Sequence, residues 1–280
     1  MNIILLIGFG LILGSFANAV IWRLHEQQSA KKPLSKKARQ DLSIMRGRSM
    51  CIHCHHQLGA LDLIPVVSYV ILRGKCRYCA KPIDDTPVAE LLMPALFVVS
   101  YIWWPYDLSV VGFTLGWTLF VGWVLCLVMF VILALYDLRW YVLPDRVVFP
   151  LIGLSMATVV LRASVFGGGW AVVVASLWGV VLTAGLFYLI YTISKGAWIG
   201  FGDVKLAIAL GLLVGGPLNA LILLFVSSLA GSLAATPMIM QGKKISGTRI
   251  PFGPFLLFGA VVVVLFGTGL SMWYTGLLVG

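Results

Sequence analysis

The feature that most constrains this chain is a series of long, continuously apolar runs. The run at residues 110–136 carries no charged side chain, and a helix needs about 20 apolar residues to cross the hydrocarbon core of a bilayer. Apolar and polar residues do not alternate along these runs, as they would in the strands of a membrane β-barrel. Each run must therefore satisfy its backbone hydrogen bonds internally, as a helix. We predict an all-α, polytopic integral membrane protein.

The composition agrees with this class of protein. Of the 280 residues 60% are apolar, and the mean hydropathy of +1.01 lies far outside the range of soluble domains. We predict about eight transmembrane helices, at residues 3–22, 88–104, 110–136, 147–163, 170–194, 203–215, 217–240 and 252–279. The boundary between the sixth and seventh is the weakest, because Gly215-Gly216-Pro217 interrupts one apolar run. A short re-entrant segment there is an alternative to a full sixth crossing.

The distribution of positive charge predicts the topology. The net charge of +10 would suit a nucleic-acid-binding protein, but threading the eight spans from an outside N-terminus places every Lys and Arg except Arg162 on one face. The positive-inside rule identifies that face as cytoplasmic. We therefore expect both termini outside, membrane lipid as a partner, and no nucleic acid. The first apolar run resembles a signal peptide, but Arg23 follows it and no charge precedes it, so we expect an uncleaved helix.

The one sizeable polar stretch, residues 24–87, contains four cysteines in two Cys-x-x-Cys pairs. The pairs are separated by 21 residues and consist of Cys51, Cys54, Cys76 and Cys79. This spacing is close to that of four-cysteine zinc sites, and disulfides are disfavoured on a cytoplasmic face. We predict a structural zinc site, because so small a subdomain has little apolar core of its own. Three histidines beside the first pair are alternative ligands: His53, His55 and His56.

Two aspartates lie at the ends of apolar runs, and a pair of carboxyls in that position has a specific chemistry. Asp137 follows the run at 110–136, and Asp203 follows Gly200 and Gly202. A carboxylate at membrane depth costs several kcal/mol unless it is partnered, and two adjacent carboxyls share one proton. One then acts as base and the other as acid, as in aspartic proteases. The two glycines would leave room for a substrate backbone.

Structural explanations for these acidic residues remain open at this stage. Asp203 precedes an apolar run and could be a helix N-cap, while Asp137 could be a solvated residue at a helix end. Asp145 follows Pro144 at the start of the next span, which favours capping, and it is also a rival to Asp137 as the first catalytic residue. Lys205 could either perturb Asp203 or extend towards the lipid headgroups, and the second interpretation is favoured.

Several short motifs are distributed along the chain. In order they are Gly14 to Arg23, the two Cys-x-x-Cys pairs, Pro65 to Tyr69, Arg73 to Cys79, Glu90 to Leu92, a D-x6-PD pattern from Asp137 to Asp145, and Gly200 to Asp203. Together they resemble the motifs of the bacterial type IV prepilin peptidases, members of the GxGD class of intramembrane aspartic proteases. The resemblance extends over the whole chain.

This resemblance implies an activity and assigns roles to residues. Asp137 and Asp203 would be the catalytic pair, with Gly200, Gly202 and Lys205 supporting the active-site loop. The enzyme would cleave the leader of prepilins or pseudopilins after a glycine at the cytoplasmic face of the bacterial inner membrane. It would also methylate the new N-terminal residue with S-adenosylmethionine. The resemblance implies three parts: a first helix (1–23), a cytoplasmic methyltransferase loop with the zinc site (24–87) and a membrane aspartic peptidase domain (88–280).

Two functions of other classes are weighed beside this one. An ion- or proton-coupled transporter would also place carboxylates in the membrane, but it predicts midplane sites, broken helices and repeat symmetry, and no internal repeat is visible here. A non-catalytic scaffold that recruits a partner through the cysteine loop would tolerate loss of both aspartates. The residues do not decide which prepilins are cut, or whether the protein is a monomer or a homodimer.

Overall fold

The structure, a computed structural model, describes residues 3–30, 35, 40–44, 47–83, 86–106, 108, 113–165, 169–240 and 250–279. Within these ranges the chain is helical, with isolated β-bridges between Met50 and Gln57 and between Lys75 and Pro82 and no strand. The helices are α1 Ile3–Ser29, α2 Val67–Ile71, α3 Val88–Ile102, α4 Phe113–Trp140, α5 Asp145–Val165, α6 Gly169–Ser194, α7 Phe201–Val214, α8 Pro217–Met240 and α9 Gly253–Val279. The predicted all-α fold is confirmed.

Each predicted span coincides with one of these helices, but the helices are not equally suited to cross a bilayer. In the described part of the chain six are long and apolar enough to do so, namely α1, α4, α5, α6, α8 and α9. Helices α3 and α7 have only 15 and 14 residues, fewer than the roughly 20 that a crossing requires. The structure thus supports a multi-pass membrane protein with six membrane-capable helices, and the predicted number of eight crossings is not confirmed.

The chain divides into two compact units, residues 1–102 and 103–280. In the first unit, α1 packs against α3. Two glycines on α1 make this contact close, because a Cβ on Gly14 would lie 2.6 Å from the carbonyl oxygen of Ala89, and Gly10 faces Pro94 in the same way. Small residues spaced by four are the usual means by which membrane helices approach each other.

In the second unit, the short helix α7 occupies the centre of the packing. It contacts α5, α6, α8 and α9, and nine of its 14 residues are buried. Its closest neighbour is α6, where a Cβ on Gly211 would lie 2.7 Å from the Cα of Val180. The hydroxyl of Thr183 on α6 donates to the carbonyl oxygen of Ala207 at 2.9 Å. A helix with so little lipid-facing surface is positioned mainly by its protein neighbours.

The chain breaks between α7 and α8 at the point where the sequence predicted a weak boundary. Gly215 and Gly216 both have positive φ angles, of 59° and 114°, a region that side-chain-bearing residues rarely adopt. Pro217 then begins α8, a position at which its missing N–H leaves no hydrogen bond unmade. This break ends α7 after 14 residues.

Candidate active site and metal site

Asp137 lies in the last turn of α4 and is buried, with 5% of its surface exposed. It is therefore not the solvated helix-end residue that one interpretation allowed. Its carboxylate accepts a hydrogen bond from the backbone N–H of Gly253, the first residue of α9. The positive end of a helix dipole favours negative charge at such a position.

Asp203 lies in the first turn of α7, where Gly200 is the N-cap residue. The Asp203 carboxylate accepts a hydrogen bond from the Gly200 N–H, so this side chain satisfies one of the free donors at the helix start. Asp203 therefore caps its helix from inside the first turn and is not itself the N-cap. Gly202 packs against Leu143, whose Cβ would be 3.2 Å from a Cβ at this position.

The structure brings the two carboxylates together. They are close enough for the charge of Asp137 to act on Asp203. Leu143, in the link between α4 and α5, fills the space beside both groups: its side chain lies against Gly202 and would be 3.5 Å from a Cβ on Gly253. Two carboxyl groups from different helices, each held by a glycine N–H, thus face the same region. Two carboxyls that interact through their charges can titrate as a pair, and in that case one can act as base and the other as acid.

Asp145 and Lys205 form an ion pair beside this site. Asp145 is the first residue of α5, and its carboxylate contacts the ammonium group of Lys205 on α7. The ammonium group also lies over two aromatic rings, 5.6 Å from the centre of Phe149 and 5.4 Å from that of Phe201. Lys205 therefore pairs with a carboxylate of the protein, whereas the interpretation favoured from sequence had it extend towards the lipid headgroups. Asp145 is the partner in this ion pair.

The far end of α7 is also tied to its neighbours. The guanidinium of Arg162, near the end of α5, donates to the carbonyl oxygen of Leu213 at 3.5 Å. The side-chain amide of Asn219 on α8 donates to the carbonyl of Val214 at 3.0 Å. These bonds satisfy carbonyls that a helix C-terminus leaves free. Helix α5 thus holds α7 near both ends, through Lys205 at one end and Arg162 at the other.

Sequence reasoning did not identify Gly253, Leu143 or Arg162 as contributors to this site. Gly253 and Leu143 carry no chemical group that marks them in a sequence, and their partners are far away along the chain. Arg162 did stand out, as the exception to the charge distribution, but only as a topological anomaly. Its contact with α7 gives that exception a structural reason.

The four cysteines of residues 24–87 converge on one point. Their sulfur atoms all lie within 4.8 Å of one another, and the Sγ atoms of Cys51 and Cys79 are 3.9 Å apart. The two pairs sit in equivalent turns: the N–H groups of His55 and Ala80 donate back to the carbonyls of Cys51 and Cys76, each at 2.9 Å. His55 and Ala80 also share a positive φ, of 55° and 54°.

This arrangement fits a tetrahedral metal ion. Four thiolates at about 2.3 Å from a zinc ion lie about 3.8 Å from each other, close to the separation of Cys51 and Cys79. No two of the described cysteines are joined by a disulfide. Burial raises the pKa of the Cys51 thiol, but hydrogen bonds from the N–H groups of Cys54 and His53 outweigh this effect and lower the pKa to about 6. In the same cluster a hydrogen bond from the Lys81 N–H lowers the pKa of the Cys79 thiol, but burial and hydrogen bonds with the other cysteines outweigh it and raise that pKa to about 11. The cluster therefore offers a thiolate near neutral pH, and a bound metal ion would favour loss of the remaining thiol protons.

Asp62 links the two halves of the cysteine loop. It lies in the 3₁₀ turn Ala60–Leu63 and accepts hydrogen bonds from the Gly59 N–H at 3.1 Å, Arg77 Nε at 2.7 Å and the Tyr78 hydroxyl at 3.1 Å. Burial raises the pKa of this carboxyl, but the three hydrogen bonds and the Arg77 charge outweigh it and hold the pKa below its usual value. Asp62 thereby ties the 3₁₀ turn to the second cysteine turn.

Comparisons with known proteins match both compact units. A model of the bacterial peptidase A24 N-terminal domain matches residues 8–104, and a model of the type IV leader peptidase family matches residues 123–236. The chain is 32% identical over 279 residues to a prepilin leader peptidase/N-methyltransferase of Stutzerimonas stutzeri, with 95% of this chain and 91% of the relative covered. Relatives with the same name from Aeromonas hydrophila and Pseudomonas aeruginosa are 31% and 30% identical, covering 95% of this chain and 91% and 90% of the relatives.

These matches bear on the hypotheses drawn from the sequence. No solved structure matches the chain. The transporter hypothesis finds no support among the relatives, which are named for peptidase and methyltransferase activities. Both family models fall where the corresponding motifs lie, and the identity to the relatives continues over nearly the full length of the chain. The chain belongs to the type IV leader peptidase family.

Proposed function

We propose that this protein removes the leader of type IV prepilins or pseudopilins, with Asp137 and Asp203 as its catalytic residues. The observation that carries the proposal is the convergence of these two carboxylates from α4 and α7, each hydrogen-bonded to a glycine N–H. The names of the full-length relatives support the same activity. Family membership and the six membrane-capable helices place the protein in the inner membrane.

The chemistry follows from the shared proton. The ionised carboxylate takes a proton from water, whose oxygen attacks the scissile carbonyl, while the protonated carboxyl donates a hydrogen bond to the carbonyl oxygen. When the tetrahedral intermediate collapses, the C–N bond breaks and the leaving amine nitrogen receives a proton from the acid. Gly200 and Gly253 hold the carboxylates in place through their N–H groups, and Lys205 positions the start of α7 through its pairing with Asp145.

We further propose that residues 24–87 carry the N-methyltransferase function that the names of the relatives include. Cys51, Cys54, Cys76 and Cys79 would hold a structural zinc ion that fixes the loop. S-adenosylmethionine, when bound, would supply an electrophilic methyl group on a sulfonium. The loop would lie in the cytoplasm with both termini outside, and a prepilin would approach with its leader on the cytoplasmic face. A homodimer stays a prediction.

The test is to co-express the chain with a candidate prepilin and to measure the intact mass of the product. Leader loss and one added methyl group appear as separate mass changes. We expect both for the wild type, and no leader removal for Asp137→Asn or Asp203→Asn at unchanged membrane expression. Glu26→Gln is the matched control, because it removes a carboxylate from an exposed position on α1, in the other compact unit, and should leave cleavage intact. Normal cleavage by either Asp137→Asn or Asp203→Asn would refute the assignment.

A further inference from the structure

The first compact unit contains a cavity of about 180 Å³ that the peptidase chemistry does not use. It lies between α1, the cysteine loop and the start of α3, and every lining residue belongs to residues 1–102. A water molecule occupies about 10–15 Å³ on this measure of volume, so the cavity has room for a small organic ligand. Its position beside the cysteine loop places it in the region to which we assign methyl transfer.

The wall formed by α1 presents unsatisfied polar atoms. Ser15, Asn18, Trp22 and Arg23 line the cavity from one face of this helix. The buried Asn18 Oδ1, an acceptor, and Arg23 Nε, a donor, have no hydrogen-bond partner among the described residues. Buried polar atoms without partners are costly, and a site where both a donor and an acceptor are left open is one that a polar ligand can complete.

The Arg23 guanidinium is held rigidly while its Nε remains open. Its two terminal nitrogens donate to the backbone carbonyls of Ser43, Ile44 and Gly47 at 2.9–3.2 Å. The side chain is only 4% exposed. The loop thus fixes the Arg23 guanidinium, which lies in the cavity wall with its Nε–H free to donate a hydrogen bond.

A carboxylate on α3 and two aromatic rings also line the cavity. Glu90 on α3 accepts a hydrogen bond from the Val66 N–H at 2.5 Å through one oxygen. Val66 has a φ of 59°, an unfavourable conformation for a β-branched residue, and strained backbone of this kind concentrates at functional sites. Tyr69 and Trp22 add aromatic surface to the lining, and aromatic faces attract organic cations.

We propose that this cavity binds the methyl donor S-adenosylmethionine, an inference that rests on the proposed methyltransferase function. The methionine part of this ligand carries a carboxylate, an ammonium group and a cationic sulfonium. The open Nε–H of Arg23 can donate a hydrogen bond to the carboxylate of the ligand. The open Oδ1 of Asn18 can accept one from its ammonium group. The aromatic surface and the Glu90 carboxylate are complementary to its cationic sulfonium. Asp62 also lines the cavity, but its partners already engage it.

The test measures binding and methylation separately, on the full-length, zinc-loaded protein in detergent. Binding of S-adenosylhomocysteine is measured by calorimetry for the wild type, Asn18→Leu, Glu90→Gln and the matched control Glu26→Gln, an exposed position on α1 outside the cavity. We expect at least tenfold weaker binding for Asn18→Leu and Glu90→Gln than for the wild type, and unchanged binding for Glu26→Gln. With a prepilin substrate, the same two variants should raise the KM for S-adenosylmethionine and lower methyl content more than leader removal. Zinc content reports whether each variant is folded.

Direct crosslinking of radiolabelled S-adenosylmethionine to the wild-type protein gives an answer that depends on no variant. Label in the peptides that contain residues 15–23 or 86–90 supports the proposal, and label found only elsewhere overturns it. A wild type that methylates prepilin while Asn18→Leu and Glu90→Gln bind normally also overturns it and leaves the proposed function standing. A wild type that cleaves but neither methylates nor binds the ligand refutes the methyltransferase function itself.

Discussion

At the scale of single residues, glycine supplies the hydrogen bonds that hold the two carboxylates. Gly200 and Gly253 act through their backbone N–H groups at helix starts, where the helix dipole also favours negative charge. Gly253 has a second role, because a Cβ there would lie 2.6 Å from Asp137 Oδ2. The absence of a side chain is therefore what allows Asp137 to occupy its position.

We predict that Gly253→Ala strongly reduces leader removal while the protein stays folded. The added methyl group would displace the Asp137 carboxylate, and a displacement of about 1 Å at a catalytic group can cost on the order of 100-fold in rate. Cleavage of a prepilin in detergent measures the effect. Gly269→Ala, on the same helix but with nothing within 4 Å of the added Cβ, is the control. Equal activity of the two variants would contradict this account of Gly253.

A second prediction concerns Asp62 and acid. Its folded-state pKa lies below the ordinary value of about 3.9, so the ionised carboxylate stabilises the loop at all higher pH values. That stability is lost as the pH falls through the lowered pKa. We expect Asp62→Asn to increase hydrogen exchange around residues 59–78 at neutral pH, and the difference from wild type to disappear in strong acid. A difference that persists unchanged under acid would refute the role.

At the scale of secondary-structure elements, the position of Asp203 depends on how α7 is packed. Helix α5 holds α7 near both of its ends. Helix α6 contacts α7 through Gly179 and Thr183, which lie against Gly211 on α7. The carbonyl oxygen of Gly211 would lie 2.5 Å from a Cβ on Gly179, so neither helix can accept a larger residue without moving. The position of Asp203 is thus set by helix contacts remote from its carboxylate.

We predict that Gly211→Ala destabilises the protein by about 1–3 kcal/mol, the usual effect of overpacking a tight contact. Leader removal should fall as well, because a shift of α7 moves Asp203. Thermal unfolding in detergent and the cleavage assay measure the two effects. Gly185→Ala on α6, with nothing within 4 Å of the added Cβ, should leave both unchanged. A fully stable, active Gly211→Ala protein would show that this contact does not position α7.

The elements themselves were largely predictable from sequence, whereas their contacts were not. Continuous apolar runs specify helices locally, so each predicted span coincides with a helix, although α1 continues through polar residues to Ser29, seven residues beyond its predicted end. The number of membrane crossings was harder to predict from sequence. The segments that form α3 and α7 are apolar, but these helices are shorter than the six that are long enough to cross a bilayer. The ion pair between Lys205 and Asp145 joins residues 60 positions apart. No local pattern near Lys205 indicates that partner.

At the scale of the whole molecule, the two compact units correspond to two family models. The N-terminal model ends at residue 104 and the first unit at residue 102, while the leader peptidase model lies wholly within the second unit. The cysteine cluster and the cavity belong to the first unit, and the paired aspartates to the second. The two proposed activities therefore rest on separate sets of residues.

We accordingly predict that metal removal separates the activities. A chelator should strip the ion from Cys51, Cys54, Cys76 and Cys79 and loosen a loop that has little apolar core of its own. Intact mass should then show prepilin that has lost its leader but lacks the methyl group, and added zinc should restore methylation. Equal loss of both activities would indicate that the loop mainly supports the peptidase.

The shortness of α7 has a consequence for how the reaction obtains its water. A 14-residue helix rises about 21 Å, roughly 9 Å less than the thickness of a bilayer's hydrocarbon layer. Because α7 packs against α5, α6, α8 and α9, we expect this shortfall to be taken up by a recess in the protein and not by a deformation of the surrounding lipid. We expect the recess to be hydrated from the adjoining aqueous phase at the end that carries the carboxylates. Hydrolysis of a peptide bond at the membrane boundary would then require no dedicated channel.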